Sequence, residues 1–375
     1  MMLCHCCGHH RPGVGVGGSR PVARFPYLTV DMHCHLLVPQ VEELVAEREE
    51  KRREPALQAA LLGQASHAHN QAMREQIGER LRDVGRRLED MDRLGIDIQV
   101  LSPSPTQYYP WADEELAARL VETQNAGIVR ACAAHPERFL GLGAVALQHP
   151  ALAVSQLRDA VERHGLLGVE ISSDPTGRGL DDPELDPFWA EAQRLQCVVF
   201  LHPLGTSLGE RVNRYYLANI IGQPLETTVA LSQLIFGGVL DRYPGLRLCA
   251  AHGGGYLPFA IGRSDHAHGV RPEAGACRAM PSDYLRRIWY DTVVFRAEAL
   301  DELARVAGVR RIVAGTDYPF DMGEYALHEM LRGTCLGSAD IEAVLGRNAI
   351  ELLGLPADHP ALAAARARLS TGVKA

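Results

Sequence analysis

YLTVDMHCH, at residues 27–35, decides the reading of this chain. It opens as an apolar, β-branched strand and closes on two histidines with one residue between them. Residues i and i+2 of a strand point to the same face. His33 and His35 can therefore present both imidazoles to one side. A pair of satisfied core histidines is the plain alternative, and what lies downstream decides between them.

Seven further runs rich in Val, Ile and Leu follow: IDIQVLSPS (96–104), FLGLGAVAL (139–147), LLGVEISS (166–173), CVVFLHP (197–203), LRLCAAHG (246–253), IWYDTVV (288–294) and RIVAGTDYP (311–319). Strands this continuously apolar are buried on both faces, as in a parallel sheet covered by helices. The segments between them are helical in pattern. ERLRDVGRRLEDMDRLG (79–95) spaces Leu81, Val84, Leu88, Met91 and Leu94 three or four residues apart and stops at Gly95. ALAVSQLRDAVERHG (151–165) does the same, and DPELDPFWAEAQRLQ (182–196) opens on aspartates that suit a helix cap. DIEAVLGRNAIELLGL (340–355) reads as a helix or helix pair stopped by Pro356, with an Ala-rich helix after Pro360. Eight strand–helix units predict an α/β fold, a closed (β/α)8 TIM barrel over residues 25–375.

Two segments depart from that rhythm. The first βα connection, about residues 36–78, is too long for a plain loop and carries two helical stretches. It is expected to form an insert covering the mouth of the barrel. Residues 1–24, MMLCHCCGHH followed by RPGVGVGGSRPVAR, show no periodic apolar face and read as a flexible extension. Their crowded Cys/His group lacks the two spaced ligand pairs of a structural zinc site.

Composition narrows the function. The 375 residues are 46% apolar, enough for a large core. With 38 Lys and Arg against 46 Asp and Glu, the net charge of −8 argues against a nucleic-acid binder. It leaves room for a small anionic substrate held by local arginines. No apolar run approaches the ~20 residues of a membrane helix, and no stretch has the order of a secretory signal. Nine cysteines, mostly scattered in apolar runs, read as reduced thiols rather than a disulfide framework. A soluble, cytoplasmic protein is the expectation.

In a TIM barrel the functional residues sit at the C-terminal ends of the strands. Those ends carry D-M-H-C-H (strand 1), V-E-I-S (strand 4), F-L-H-P (strand 5), A-A-H-G-G-G (strand 6) and G-T-D-Y-P-F (strand 8). His33, His35, His202, His252 and Asp317 would converge on one point, which favours a metal site over core histidines. His67 and His69 form another H-x-H, but a helix turns such a pair about 200° apart. They are read as surface residues that could line the entrance. His266 and His268 are read as surface residues outright.

This pattern resembles the amidohydrolase superfamily, and more closely its aminocarboxymuconate-semialdehyde decarboxylase branch. The matching pieces are DMHCH, EDMDRLGIDIQVLS, HPERFLGLGAVALQHPALAV, RLQCVVFLHP, FGGVLDRYPGLRLCAAHGGGYLPFAIGR and GTDYPFDMGE. The resemblance implies that His33, His35, His202 and Asp317 ligate one divalent metal, Zn²⁺ with Mn²⁺ as the alternative. It implies that His252 acts as general acid or base, since an imidazole titrates near neutral pH, and that Asp317 shares the proton handling. Two arginines would grip substrate carboxylates: Arg263, reaching the neighbouring site of a homodimer, and Arg74. A solvated surface charge is the alternative for each. Phe320 would wall the pocket, with core packing as its alternative.

Three features depart from the branch: Leu204 where an aromatic follows the strand-5 His-Pro, the 36–78 insert, and Glu170 on strand 4. Some relatives bridge a second metal with a strand-4 carboxylate; a salt-bridged or supporting role is the favoured reading for Glu170. The expected activity is non-oxidative decarboxylation of a small aromatic or muconate-type acid. A metal-dependent hydrolase of an amide, lactone or C–C bond is the alternative. A binding protein that has lost catalysis is disfavoured, because all five polar residues are present.

Overall fold

The computed structural model describes Val16, residues 21–174 and residues 177–372. The Cys/His group at residues 4–10 lies outside them. Nine strands are formed among the described residues: β1 (Val30–Leu36), β2 (Ile98–Pro103), β3 (Phe139–Gly141), β4 (Gly143–Ala144), β5 (Gly168–Ser172), β6 (Val198–His202), β7 (Arg247–Ala250), β8 (Trp289–Asp291) and β9 (Ile312–Val313). Every neighbouring pair is parallel. β3 and β4 are one stave interrupted at Leu142, whose N–H donates to the Leu101 carbonyl of β2. Nine strands therefore make the eight staves the apolar runs predict. The last stave closes on the first through Met32 N–H to Ala314 O (2.8 Å), Asp317 N–H to His33 O (2.7 Å) and His35 N–H to Tyr318 O (2.8 Å).

Alternation along the strands divides the core into two layers. Val30, Met32, Ile98, Val100, Val198, Phe200, Cys249 and Val313 fill the barrel, and Ala361, Leu362 and Ala365 of the C-terminal helix (Pro360–Gly372) plug its lower end. Val169, Ile171, Val199, Leu201, Leu248 and Ala250 face outward against the surrounding helices.

β1 breaks its own alternation. Asp31 pairs with Gln99 and Cys34 with Leu101, so Met32 and His33 together stand opposite Val100. This is a β-bulge, one extra residue that shifts the strand's phase. Below it Val30 and Met32 face the barrel; above it Cys34 packs in the outer layer and both imidazoles turn inward.

The insert is helical: α1 (Pro39–Val45), α2 (Glu49–Leu62) and α3 (Gln64–Arg82) precede α4 (Val84–Leu94). The single helix expected over 79–95 is instead two. Asp83 leaves the helical region (φ −98°, ψ 114°), and its carboxylate caps α4 by accepting the Arg86 N–H at 3.0 Å. The end of the N-terminal extension is also packed. Val22 N–H donates to Arg93 O, and the Arg24 guanidinium grips both oxygens of Asp97 at 2.6 and 3.1 Å.

Candidate metal centre

His33 and His35 are both fully buried, and each is oriented by its far nitrogen. His33 Nδ1 meets Asp291 Oδ2 at 2.5 Å, and His35 Nδ1 donates to the Pro103 carbonyl at 2.9 Å. Both Nε2 atoms are thereby turned to the barrel axis, where they stand 3.1 Å apart. Asp317 arrives from the last stave with Oδ1 3.4 Å from His33 Nε2 and 3.2 Å from His35 Nε2. His202 ends β6 beside them, with ring centroids 5.0 Å from His33 and 4.8 Å from His35.

One donor atom from each of His33, His35, His202 and Asp317 lies within 4.8 Å of the others. The two Nε2 atoms of His33 and His35 face each other, while the other donors are left over. Both His202 nitrogens and Asp317 Oδ1 are buried with no hydrogen-bond partner among the described residues. Buried polar atoms are normally paired. Four orphaned or mutually facing donors of hard and borderline type fit a divalent metal ion.

The electrostatics agree. Burial opposes the charge of Asp317, but His33, His252 and His35 hold it well below the usual carboxylate range. Burial and the neighbouring imidazoles push His202 well below its ordinary value, leaving it a neutral ligand. Burial also works against a charged His33, yet Asp317 and Asp291 outweigh it and hold the ring at about 10 in the metal-free chain. Metal uptake must therefore release that proton.

His252 stands at the rim, 15% exposed, with Nε2 3.5 Å from Asp317 Oδ2 and Nδ1 unpartnered. Its placement depends on the glycines after it. His252 and Gly253–Gly255 all have positive φ, 54° to 79°. A Cβ at Gly254 would lie 2.6 Å from the Tyr290 ring, and one at Gly255 would lie 2.1 Å from Pro224 O. Only glycine fits both the conformation and the space. Asp317 is also left-handed, at φ 58°. Sparsely populated backbone held at two chemically active side chains is a mark of functional sites.

Phe320 lies 5.5 Å from His35, ring to ring. Arg74 is half-buried on α3 near Tyr216. Arg263 is exposed on the helix Leu257–Val270 and makes no ion pair with any described residue. Glu170 is buried 3.6 Å from His35 Nδ1, the nitrogen facing away from the centre, and accepts from the Tyr108 hydroxyl. Burial pushes its carboxyl up. It supports His35 from behind instead of facing the four donors. His67, expected at the surface, is buried at 9% exposure because α3 turns it inward.

Three contributors escaped the sequence reading. Asp291 grips His33 and also accepts the N–H groups of His252 (3.0 Å), Gly253 (2.8 Å) and Val293 (3.1 Å). Its signal was available: a single acid at the end of an apolar strand, like Glu170 and Asp317. Phe200 floors the site 5.0 Å from the His33 ring. Arg87, fully buried, donates to the His35 carbonyl from outside the barrel.

The chain is similar to known proteins. The amidohydrolase family profile matches residues 30–355. The chain is 37% identical over 272 residues to the 2-amino-3-carboxymuconate-6-semialdehyde decarboxylase of Dictyostelium discoideum, covering 72% of this chain and 76% of that one. Among solved structures it is similar to 5-carboxyvanillate decarboxylase from Sphingomonas paucimobilis. That match has a TM-score of 0.76 and 26% identity, with 88% of this chain and 100% of the other covered. It also shares the fold of 5-carboxyvanillate decarboxylase from Novosphingobium aromaticivorans, solved with manganese and 4-hydroxy-3-methoxy-5-nitrobenzoic acid. There the TM-score is 0.78 at 22% identity, over 92% and 99% of the two chains. The chain thus belongs to the amidohydrolase family, as an enzyme of its aminocarboxymuconate-semialdehyde decarboxylase-like branch built around a divalent metal site.

Proposed function

We propose that this protein is a metal-dependent, non-oxidative decarboxylase of a small aromatic or muconate-type carboxylic acid. The observation that carries the reading is the set of four converging buried side chains, in which both His202 nitrogens and Asp317 Oδ1 lack a hydrogen-bond partner among the described residues, with His252 beside them. His33, His35, His202 and Asp317 would hold the metal. Zinc suits this donor set, and manganese, named for the Novosphingobium structure, is the alternative. When bound, the ion supplies a Lewis acid that orients and polarises the substrate's oxygens.

The chain's own groups do the rest. His252 delivers a proton to the carbon bearing the carboxylate, and Asp317 steadies the ring as its charge changes. The C–C bond breaks, CO₂ leaves, and its electron pair returns to the substrate, so RCOO⁻ and H⁺ become RH and CO₂. Arg74 and Arg263 would neutralise carboxylates, Arg263 from the second subunit of a homodimer. Its exposure next to exposed Phe259 on the same helix supports that placement. No described helix is long and apolar enough to cross a membrane, and Cys34, Cys132, Cys197, Cys249 and Cys277 are free thiols, which supports a cytoplasmic location. Hydrolysis with a second metal would require Glu170 to face the centre, and it stands behind His35.

The test is elemental analysis of the purified protein followed by a screen of carboxylic acids for CO₂ release. One metal per chain, lost in a His33→Ala/His35→Ala variant and retained in Glu170→Gln, is expected. Two metals per chain, with the second lost in Glu170→Gln, would overturn the reading in favour of hydrolysis.

A further inference from the structure

Helix α3 is a roof across the mouth of the barrel. At its C-terminal end Leu81 O accepts the Leu37 N–H at 2.9 Å, one residue past β1. At its other end the Gly63 corner presses on the loop after β6, where a Cβ would lie 2.0 Å from Asn213 O. Between them, His69 Nε2 meets Asp321 Oδ2 at 3.2 Å, four residues beyond Asp317. The first, fifth and eighth staves thus all hold it over the metal donors.

The inner face follows from spacing: His67, Asn70, Arg74, Ile77 and Leu81 recur at three- and four-residue steps. Ile77 and Leu81 are buried and apolar, as a packed face requires. The upper positions are polar, and two are unsatisfied. His67 Nδ1 and Asn70 Oδ1 are shielded from solvent without a hydrogen-bond partner among the described residues. The Asn70 side chain also meets the Tyr216 hydroxyl, which lies close enough to Asp317 and Asp321 to feel their charge. Tyr215 and Tyr216, at φ 60° and 61°, form a turn that leaves Tyr215 78% exposed and Tyr216 half-buried under α3.

We infer that His67, Asn70 and Tyr216 form a polar subsite in the roof that recognises a hydroxyl or amino substituent of the substrate, distal to the carboxylate that leaves. Asn70 Oδ1 can only accept, so the substituent must donate, while Tyr216 and His67 can each return a hydrogen bond. A site built this way rejects an analogue lacking the group, because its buried polar atoms are then left unpaired. The inference rests on the decarboxylase reading and adds a second requirement on the substrate.

Calorimetry of the metal-loaded protein tests it, with 2-hydroxybenzoate against its 2,3-, 2,4- and 2,5-dihydroxy counterparts. At least one dihydroxy acid is expected to bind about tenfold or more tightly than 2-hydroxybenzoate, as one well-made hydrogen bond allows. Asn70→Leu and Tyr216→Phe should each erase most of that advantage with metal content unchanged, and His67→Gln should retain part of it. An advantage that survives both substitutions in folded, metal-loaded protein overturns the subsite while leaving the decarboxylase reading intact. A parent protein that takes up metal and binds no dihydroxy acid more tightly than 2-hydroxybenzoate also overturns the subsite, whereas one that releases CO₂ from no acid in the screen overturns the decarboxylase reading.

Discussion

Replacing Asp291 with Asn exchanges one oxygen for an NH₂ group and should disable the metal centre. The carboxylate is fully buried and accepts four hydrogen bonds. Oδ2 takes His33 Nδ1 and His252 N–H; Oδ1 takes Gly253 N–H and Val293 N–H. An Asn side chain must set its NH₂ against one of those pairs. If it faces Gly253 and Val293, two buried N–H groups lose their acceptor, at about 1–3 kcal/mol each. If it faces His33, the imidazole must accept at Nδ1 and carry its proton on Nε2, the nitrogen aimed at the metal. In either orientation the loss is about 2–6 kcal/mol, shared between folding and metal binding. The metal share should appear as a roughly 10–100-fold fall in affinity. Competition against a chelator measures the affinity, and thermal melting of metal-free protein measures the remainder. An Asp291→Asn protein that folds and binds metal as tightly as the parent would refute the claim that Asp291 orients His33.

His202→Ala should abolish metal binding while leaving the metal-free melting temperature unchanged or raised, because neither ring nitrogen has a partner to lose; metal-induced stabilisation, read by melting with and without ion, should vanish. Gly255→Ala should cost more than about 2 kcal/mol in denaturant unfolding, since its Cβ would meet Pro224 O at 2.1 Å in a left-handed conformation. Burial, with Arg24 and Arg332 nearby, depresses His328 to about 4. The unfolded chain binds its proton below about 6.5 and the native chain does not until about 4, so this histidine should lower stability as pH falls between those values, by roughly 3–4 kcal/mol at most. Denaturant titration of His328→Leu against the parent should show a flatter pH dependence across that window.

The metal donors were legible because strand ends in a barrel converge and their residue types are chemically distinctive. The order of the staves was legible too, since each apolar run is buried on both faces. Other features had no such marker. Nothing in DMHCH announces a bulge, because the extra residue there is an ordinary Met. The break at Asp83 was hidden by an apolar stripe, Leu81–Val84–Leu88, that runs through it at helical spacing. The last stave is a continuous strand at Ile312–Val313, and the rest of RIVAGTDYP follows β1 as chain bent by the left-handed Asp317, with one parallel bridge from Tyr318 to Cys34. The inner face of α3 could be counted from sequence, but not that it lies across the site, because its anchors at Leu37, Asn213 and Asp321 come from three distant loops.

The bulge in β1 gives one strand two grammars. Below it, a substitution is judged by volume, since Val30 and Met32 are pieces of a packed interior. Above it, a substitution is judged by whether a donor atom still points at the ion. Carrying the lower frame straight upward would bring Cys34 into the barrel and send both imidazoles among the outer helices. The transplantable unit of this centre is therefore not H-x-H but the whole D-M-H-C-H with its slipped rung. A designer who copied the two histidines onto a regular strand would have to choose between a filled barrel and a metal site, whereas here one surplus methionine lets a single strand supply both.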